Sequence, residues 1–334
     1  MSDVDRVYRI LSIDGGGIRG VFPAAFLARL QDQLPEHIGS YFDLIAGTST
    51  GGIIALGLGL RIPPKTIIDM YTNNGPAIFG QDHNRITNWL LNKWRWGKHL
   101  FHTKYDSQPL RDALTTVLRN QKIGESKSRL LIPSWHRETE RVYVYKTAHH
   151  ERFASDYRQL ALDAAMATAA APTFLEPYLT SDEVELIDGG VWANNPIGAA
   201  TVEAIGVLGW PANKIRILSI GTLNEAVAPP RLSGGLPFLL TQYVSRVLMA
   251  GQSHSAMGTA KLLTGDVHSH QAIWRVDQTA PAGRFSLDNT SRIKQMKDRA
   301  NVEAREQFPI LKNIFFQAPA PRFNPFHTLE GLRQ

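Results

Sequence analysis

The stretch Ile45-Ala-Gly-Thr-Ser-Thr-Gly-Gly-Ile53 decides how the rest of this chain is read. Phe42, Leu44, Ile45 and Ala46 form the apolar end of a buried strand, and Gly51 to Leu60 has the small, apolar composition of a closely packed helix. Ser49 stands alone at the corner between them. In the pattern G-x-S-x-G, filled by Gly47, Ser49 and Gly51, small flanking residues let strand and helix approach closely. The serine then takes a strained backbone conformation that projects its hydroxyl. The free amides and positive dipole end of the following helix favour negative charge that develops nearby. The five-residue pattern also arises by chance, and a plain tight turn fits it as well as a nucleophile does.

Working outward toward the amino end, Tyr8-Arg-Ile-Leu-Ser-Ile13 reads as a strand that runs into Asp14-Gly-Gly-Gly-Ile-Arg-Gly20. A helix follows from about Phe22 to Leu34, with Phe26, Leu27 and Leu30 on one face. Three consecutive glycines let the amides of Gly15, Gly16 and Gly17 converge on one anion. Such a loop is a phosphate cradle, an oxyanion hole for acyl transfer, or a tight turn. It lacks the Lys-Ser/Thr ending of a P-loop, which weakens the nucleotide reading. Its strand and the Ser49 strand lie within one βαβ length. They are expected side by side with their carboxyl ends together, so the glycines and the serine share one crevice.

Composition limits the function classes. The 334 residues fit one large α/β domain with insertions as well as two domains, and 43% hydrophobic with 20% charged residues is a globular balance. There is no cysteine, which excludes disulfides and thiolate metal sites and fits a reducing compartment. The opening Met1-Ser-Asp-Val-Asp-Arg6 leads directly into a strand without a signal-peptide pattern, so a cytoplasmic protein is expected. No apolar run approaches the roughly 20 residues that span a bilayer. A net charge of +6 and a pI of about 9.5 favour anionic partners, whether phospholipid head groups, nucleotides or nucleic acid.

Further on, Trp89-Leu-Leu-Asn-Lys-Trp-Arg-Trp-Gly-Lys98 interleaves tryptophans with basic residues. It suits a membrane interface, base stacking, or a helix with aromatics inward and charges outward, and is a cap candidate. Leu130–Ile132 and Arg141–Lys146 read as a hairpin. His149-His150-Glu151 lacks a third metal ligand and reads as a solvated loop. The alanine-rich helix Leu160–Ala171 stops at Pro172. Leu186-Ile-Asp-Gly-Gly190 is another strand that ends in a carboxylate, and beside an exposed serine and a glycine amide cluster Asp188 becomes the candidate base. A helix Ile197–Leu208 and a core strand Lys214–Gly221 follow. Two helices, about Leu236–Val247 and Ser253–Leu263, then precede the strand Ala272–Val276 and a charged helix Ser291–Gln307. The tail Pro309–Gln334 has no clear period and either wraps the body or packs on a second subunit.

Gly15-Gly-Gly-Ile-Arg-Gly20, Gly47-Thr-Ser-Thr-Gly51, the Ala-Thr-Ala-Ala-Ala-Pro172 helix end and Asp188-Gly-Gly190 stand in the order and context of the patatin-like phospholipases. The resemblance covers about the first 225 residues. It implies a three-layer α/β/α fold with a mostly parallel sheet, a Ser-Asp dyad and hydrolysis of glycerolipid acyl esters. Ser49 takes the nucleophile role, Asp188 the base role and Gly15, Gly16 and Gly17 the oxyanion hole. Arg19, Gly47, Gly51 and Gly189 give local support. No cofactor or metal is implied for the chemistry. Residues 1–225 form the expected catalytic core, and 226–334 an extension on the same domain.

More narrowly, the Ile10–Gly20 opening, the cytoplasmic setting and the length resemble the bacterial patatin-like effectors of CBASS-type antiphage signalling. That likeness implies activation by a cyclic dinucleotide such as cyclic GMP-AMP, membrane phospholipid as substrate at the inner membrane surface, and no nucleic acid polymer as partner. A homodimer or larger assembly is compatible with it. An unregulated lipid acyl hydrolase is the alternative, and a non-catalytic nucleotide- or membrane-binding module is the alternative of another class. A conventional triad would add a histidine after the acid, for which His254, His268, His270 and His327 are in sequence order.

Overall fold

A computed structural model describes residues 6–79, 104–225, 237–268, 271–280 and 284–329. Its strands, in chain order, are β1 (Tyr8–Ile13), β2 (Leu44–Gly47), β3 (Arg129–His136), β4 (Arg141–Lys146), β5 (Tyr178–Leu179), β6 (Glu185–Asp188), β7 (Ile215–Ile220), β8 (Asn224–Glu225), β9 (Ile273–Val276) and β10 (Thr279–Ala280). The main sheet has the order β5-β6-β3-β2-β1-β7-β9, with β4 paired to β3, and β8 and β10 form a separate ribbon.

β1 and β7 are nearly continuous apolar runs, as central parallel strands with both faces covered must be. They pair in parallel from Tyr8↔Ile215 to Ile13↔Ile220. β2 lies parallel to β1 on the other side, and β3 parallel to β2. Successive residues point to opposite faces of a strand. Leu11, Ile13 and Ile45 enter one buried cluster, with residues of the helices Val21–Gln31, Thr50–Gly59, Ala161–Ala169 and Ile293–Phe315. Ile10, Leu44 and Ala46 enter a second cluster, with Ile197, Ala200 and Ala260. Two apolar layers on opposite faces of one sheet make the expected α/β/α sandwich.

β4 and β6 run antiparallel to β3. Leu131 of β3 pairs with both Ala46 of β2 and Lys146 of β4, so β2 and β4 occupy opposite edges of β3. Ser134 pairs with both Tyr143 of β4 and Asp188 of β6. β6 therefore lies on the edge that β2 occupies, further along.

Several local expectations are corrected. β3 does not stop at Ile132 but continues through Pro133 to His136. The two helices expected around 236–263 are one, Pro237–Thr264. The charged helix runs Ile293–Phe315 through Pro309, held by Leu311 and Phe315, which are buried on the core. The tail beyond it wraps the body: Ala320 donates its amide to Ser40 O at 2.8 Å, and Phe326 to Ala148 O at 2.8 Å. His149 is buried, not solvated, and its Nε2 lies 2.9 Å from Glu203 Oε1, whose partner oxygen takes Lys146 Nζ at 2.6 Å. The Trp89–Lys98 segment lies outside the described residues. Among those described, no helix is long and apolar enough to cross a membrane.

Candidate active site

β2 ends at Gly47, and the chain turns at Ser49 into the helix Thr50–Gly59. Ser49 has φ 54° and ψ −125°, a left-handed conformation that costs on the order of 1–3 kcal/mol in a residue with a side chain. The surroundings hold it there. Its amide donates to Thr168 Oγ1 at 3.0 Å, and the Thr168 hydroxyl donates to Pro133 O at 2.6 Å. The Thr48 hydroxyl donates to Ala193 O at 2.6 Å. Neither Gly47 nor Gly51 has room for a Cβ: the first would collide with the Gly51 carbonyl, the second with that of Ile13.

The glycine loop lies against this turn, since a Cβ on Gly15 would sit 3.1 Å from the Ser49 Cβ. The Gly15 amide is engaged, donating to Asn194 O at 2.9 Å, and the Gly15 carbonyl accepts the Thr222 hydroxyl at 3.1 Å. The amides of Gly16 and Gly17 have no acceptor among the described residues. Gly17 has φ 56° and packs on the Leu287 carbonyl, which accepts the Ile18 amide at 2.8 Å. Arg19 braces the loop from behind, its Nε 3.4 Å from Gly16 O and its Nη1 3.3 Å from Leu223 O.

Asp188 ends β6 and is 5% exposed. Burial pushes its pKa up to about 7, against the lowering effects of the Gly190 amide, which donates to Oδ1 at 2.6 Å, and of a hydrogen bond with the Ser49 hydroxyl. Gly189 is required at the next position because a Cβ would meet Pro133 O. Among the described residues no histidine hydrogen-bonds to Ser49 or Asp188: His149 is committed to Glu203, and His327 to Glu151 O at 2.6 Å. No group of three or more His, Cys, Asp or Glu among them could hold a metal.

The structure thus brings Ser49, Gly15 to Gly17, Arg19 and Asp188 to one place. It also adds residues that sequence reasoning passed over. Asn194 ties the glycine loop to the Asp188 turn, and its signal was the Asn-Asn-Pro run directly after Asp188-Gly-Gly. Thr168 was visible as a lone hydroxyl in an alanine helix, and Arg275 as a charge inside an apolar strand.

A strained serine facing a near-neutral buried carboxylate, at the carboxyl edge of an α/β/α sheet, is the arrangement of a serine acyl hydrolase. The family model described as patatin-like phospholipase matches residues 11–201, more than half of the chain, and the chain belongs to that family. A cGAMP-activated phospholipase of Vibrio cholerae is 32% identical over 343 residues, covering 94% of this chain and 96% of its own. One from Escherichia coli is 33% identical over 366 residues, covering 99% and 100%. Patatin-like protein 2 of Arabidopsis thaliana is 34% identical over 250 residues, covering 65% of this chain and 60% of its own.

Proposed function

We propose that this phospholipase hydrolyses acyl esters of membrane glycerophospholipids with Ser49 as nucleophile and Asp188 as base, and that a cyclic dinucleotide such as cyclic GMP-AMP switches it on in antiphage defence. The observation that carries the dyad is the buried Asp188 carboxylate at the end of β6, brought along β3 to the strained Ser49 turn at the end of β2. Asp188 takes the hydroxyl proton as Oγ attacks the acyl carbonyl. The Gly16 and Gly17 amides receive the oxyanion, while Gly15, engaged by Asn194, fixes the loop. The proton passes to the leaving oxygen of the lysophospholipid, and water then attacks the acyl-enzyme with Asp188 again as base. The products are a fatty acid and a lysophospholipid. Arg19, Gly47, Gly51 and Gly189 maintain the geometry.

The switch is supported by relatives of nearly equal length that are named for it. An enzyme that attacks its own cell's lipids needs an off state, and a net charge of +6 suits both an anionic activator and the inner membrane surface. Residues 1–225 are the catalytic core in this reading, and 226–334 complete the same domain.

Fatty acid release from mixed phospholipid vesicles, with and without cyclic GMP-AMP, tests both parts. Release is expected only with the nucleotide, and none from Ser49→Ala or Asp188→Asn. Full activity without nucleotide removes the switch, and turnover by Ser49→Ala removes the dyad.

A further inference from the structure

Arg275 lies outside the region matched to the family, yet its guanidinium holds the residue that leads into the glycine loop. Nη1 donates to Asp14 Oδ1 at 2.9 Å and to Ser219 Oγ at 2.7 Å. Nη2 donates to Asp14 Oδ2 at 2.6 Å and to Asp277 Oδ2 at 2.9 Å. Asp14 is 3% exposed. Burying such a pair carries a desolvation penalty, and apolar residues of similar volume often give equal or greater stability. Stability alone does not account for it.

Its position does. β1, β7 and β9 end side by side here, with the Asp14 amide on Ile220 O at 3.0 Å and the Gly221 amide on Val276 O at 2.8 Å. The guanidinium lies close over the end of β7, where a Cβ on Gly221 would sit 2.8 Å from Arg275 Nη2. The bidentate fork fixes Asp14 in direction as well as in place, one residue before the loop begins. At its other end the loop is held by the Leu287 carbonyl. The neighbouring Asp288 is bound by the Tyr105 hydroxyl at 2.8 Å and by Lys104.

We propose that Arg275 is a positioning residue for the reaction: through Asp14 it aims the Gly16 and Gly17 amides at the oxyanion without touching substrate. The proposal rests on the oxyanion role given to those amides above. Aim matters because a donor stabilises the transition state only when directed at the place the oxyanion will occupy.

The test uses the full chain with cyclic GMP-AMP, a soluble p-nitrophenyl ester as substrate, and a trifluoromethyl ketone as mimic of the tetrahedral oxyanion. Arg275→Met is expected to lower kcat by roughly 100- to 1,000-fold, as loss of an oxyanion donor does. KM should stay within about twofold, and the ketone Ki should weaken by the same factor as kcat/KM. Arg275→Lys keeps the charge without the fork and should fall between the two. Asp14→Asn combined with Arg275→Met should be no slower than Arg275→Met alone, since both break one link. Leu114→Ala, a buried cavity in the helix Gln108–Leu118, lowers Tm but leaves kcat per folded molecule unchanged. If Arg275→Met does not fold, Arg275→Lys and Asp14→Asn read the same quantities.

Variants at Arg275 with kcat and ketone Ki within about threefold of the parent would overturn the proposal, as would a loss matched by Leu114→Ala. Gly16→Ala separates the two readings. If it is fully active, the oxyanion assignment fails; if it is impaired while the Arg275 variants are not, only the positioning role fails.

Discussion

Asp188 pairs with Ser134 on the part of β3 that runs past the end of β2, so the strands that carry Ser49 and Asp188 meet end to end along one edge of β3. β2 brings the nucleophile from one direction and β6 the carboxylate from the other. Neither residue depends on a long loop for its placement, which suits the proposed Ser49–Asp188 dyad, to which no histidine is bonded among the described residues.

The Asp188 pKa of about 7 sets the pH profile. In the proposed mechanism the ionised form of Asp188 is the base, so kcat/KM for a soluble ester should rise with pH through about 7 and then level off. The sign for stability is the reverse. Its folded pKa lies above the unfolded value of 3.8, so between roughly pH 4 and pH 7 the folded state binds more protons than the unfolded chain and stability falls as pH rises. Asp188→Asn should therefore be inactive yet melt higher by about 2–6 °C at pH 8, with no gain at pH 4. Calorimetry at the two pH values checks it.

An alanine methyl at Gly16 has no open space to enter. It meets Thr222, whose Cβ would lie 2.7 Å from the new methyl. The loop must move to relieve this. Gly16→Ala should fold normally by circular dichroism and lose about 100-fold in kcat through a misdirected donor.

Thr168 joins the Ser49 amide to Pro133 O through one hydroxyl. Thr168→Val keeps the shape and leaves both partners unsatisfied, at about 1–3 kcal/mol each. A lower midpoint in urea is expected, together with about a tenfold slower labelling of Ser49 by a fluorophosphonate, since the strained turn loses a restraint.

His149 is bonded to Thr147 and Glu203 and not to Ser49 or Asp188. Burial lowers its pKa against the pull of Glu203, so the folded protein favours the neutral ring. The unfolded chain then takes up more protons just below pH 6.5, and stability drains away as pH falls from there. His149→Gln should flatten the fall in Tm between pH 6.5 and pH 5 while leaving ester hydrolysis within about twofold.

The elements near Ser49, Gly15 and Asp188 were legible because their glycines leave a mark in sequence: most stand where nearby backbone or side chain comes too close for a Cβ. The direction of β6 was not. Four residues of strand read the same whether they run parallel or antiparallel to a neighbour, and only the registers of Asp188 with Ser134 and of Leu186 with His136 decide it. Proline misled twice, at Pro133 and Pro309, because tertiary packing overrode a local preference. Arg275 escaped notice because the partner that explains it, Asp14, lies 261 residues away.

Pro133 itself sits at the gap between the two facing strand ends. Its carbonyl points into that gap toward Thr168, and in a β-strand the amide of a residue points the same way as its carbonyl, so the ladder bond that proline lacks has no neighbour to miss. β3 thereby works as a ruler with an unmarked interval. Adding or removing one residue between Leu131 and Ser134 would change the spacing of nucleophile and base by about 3.3 Å and turn the carboxylate to the wrong face. The reach between Ser49 and Asp188 in the proposed dyad is thus encoded in a strand that contributes no side chain to it.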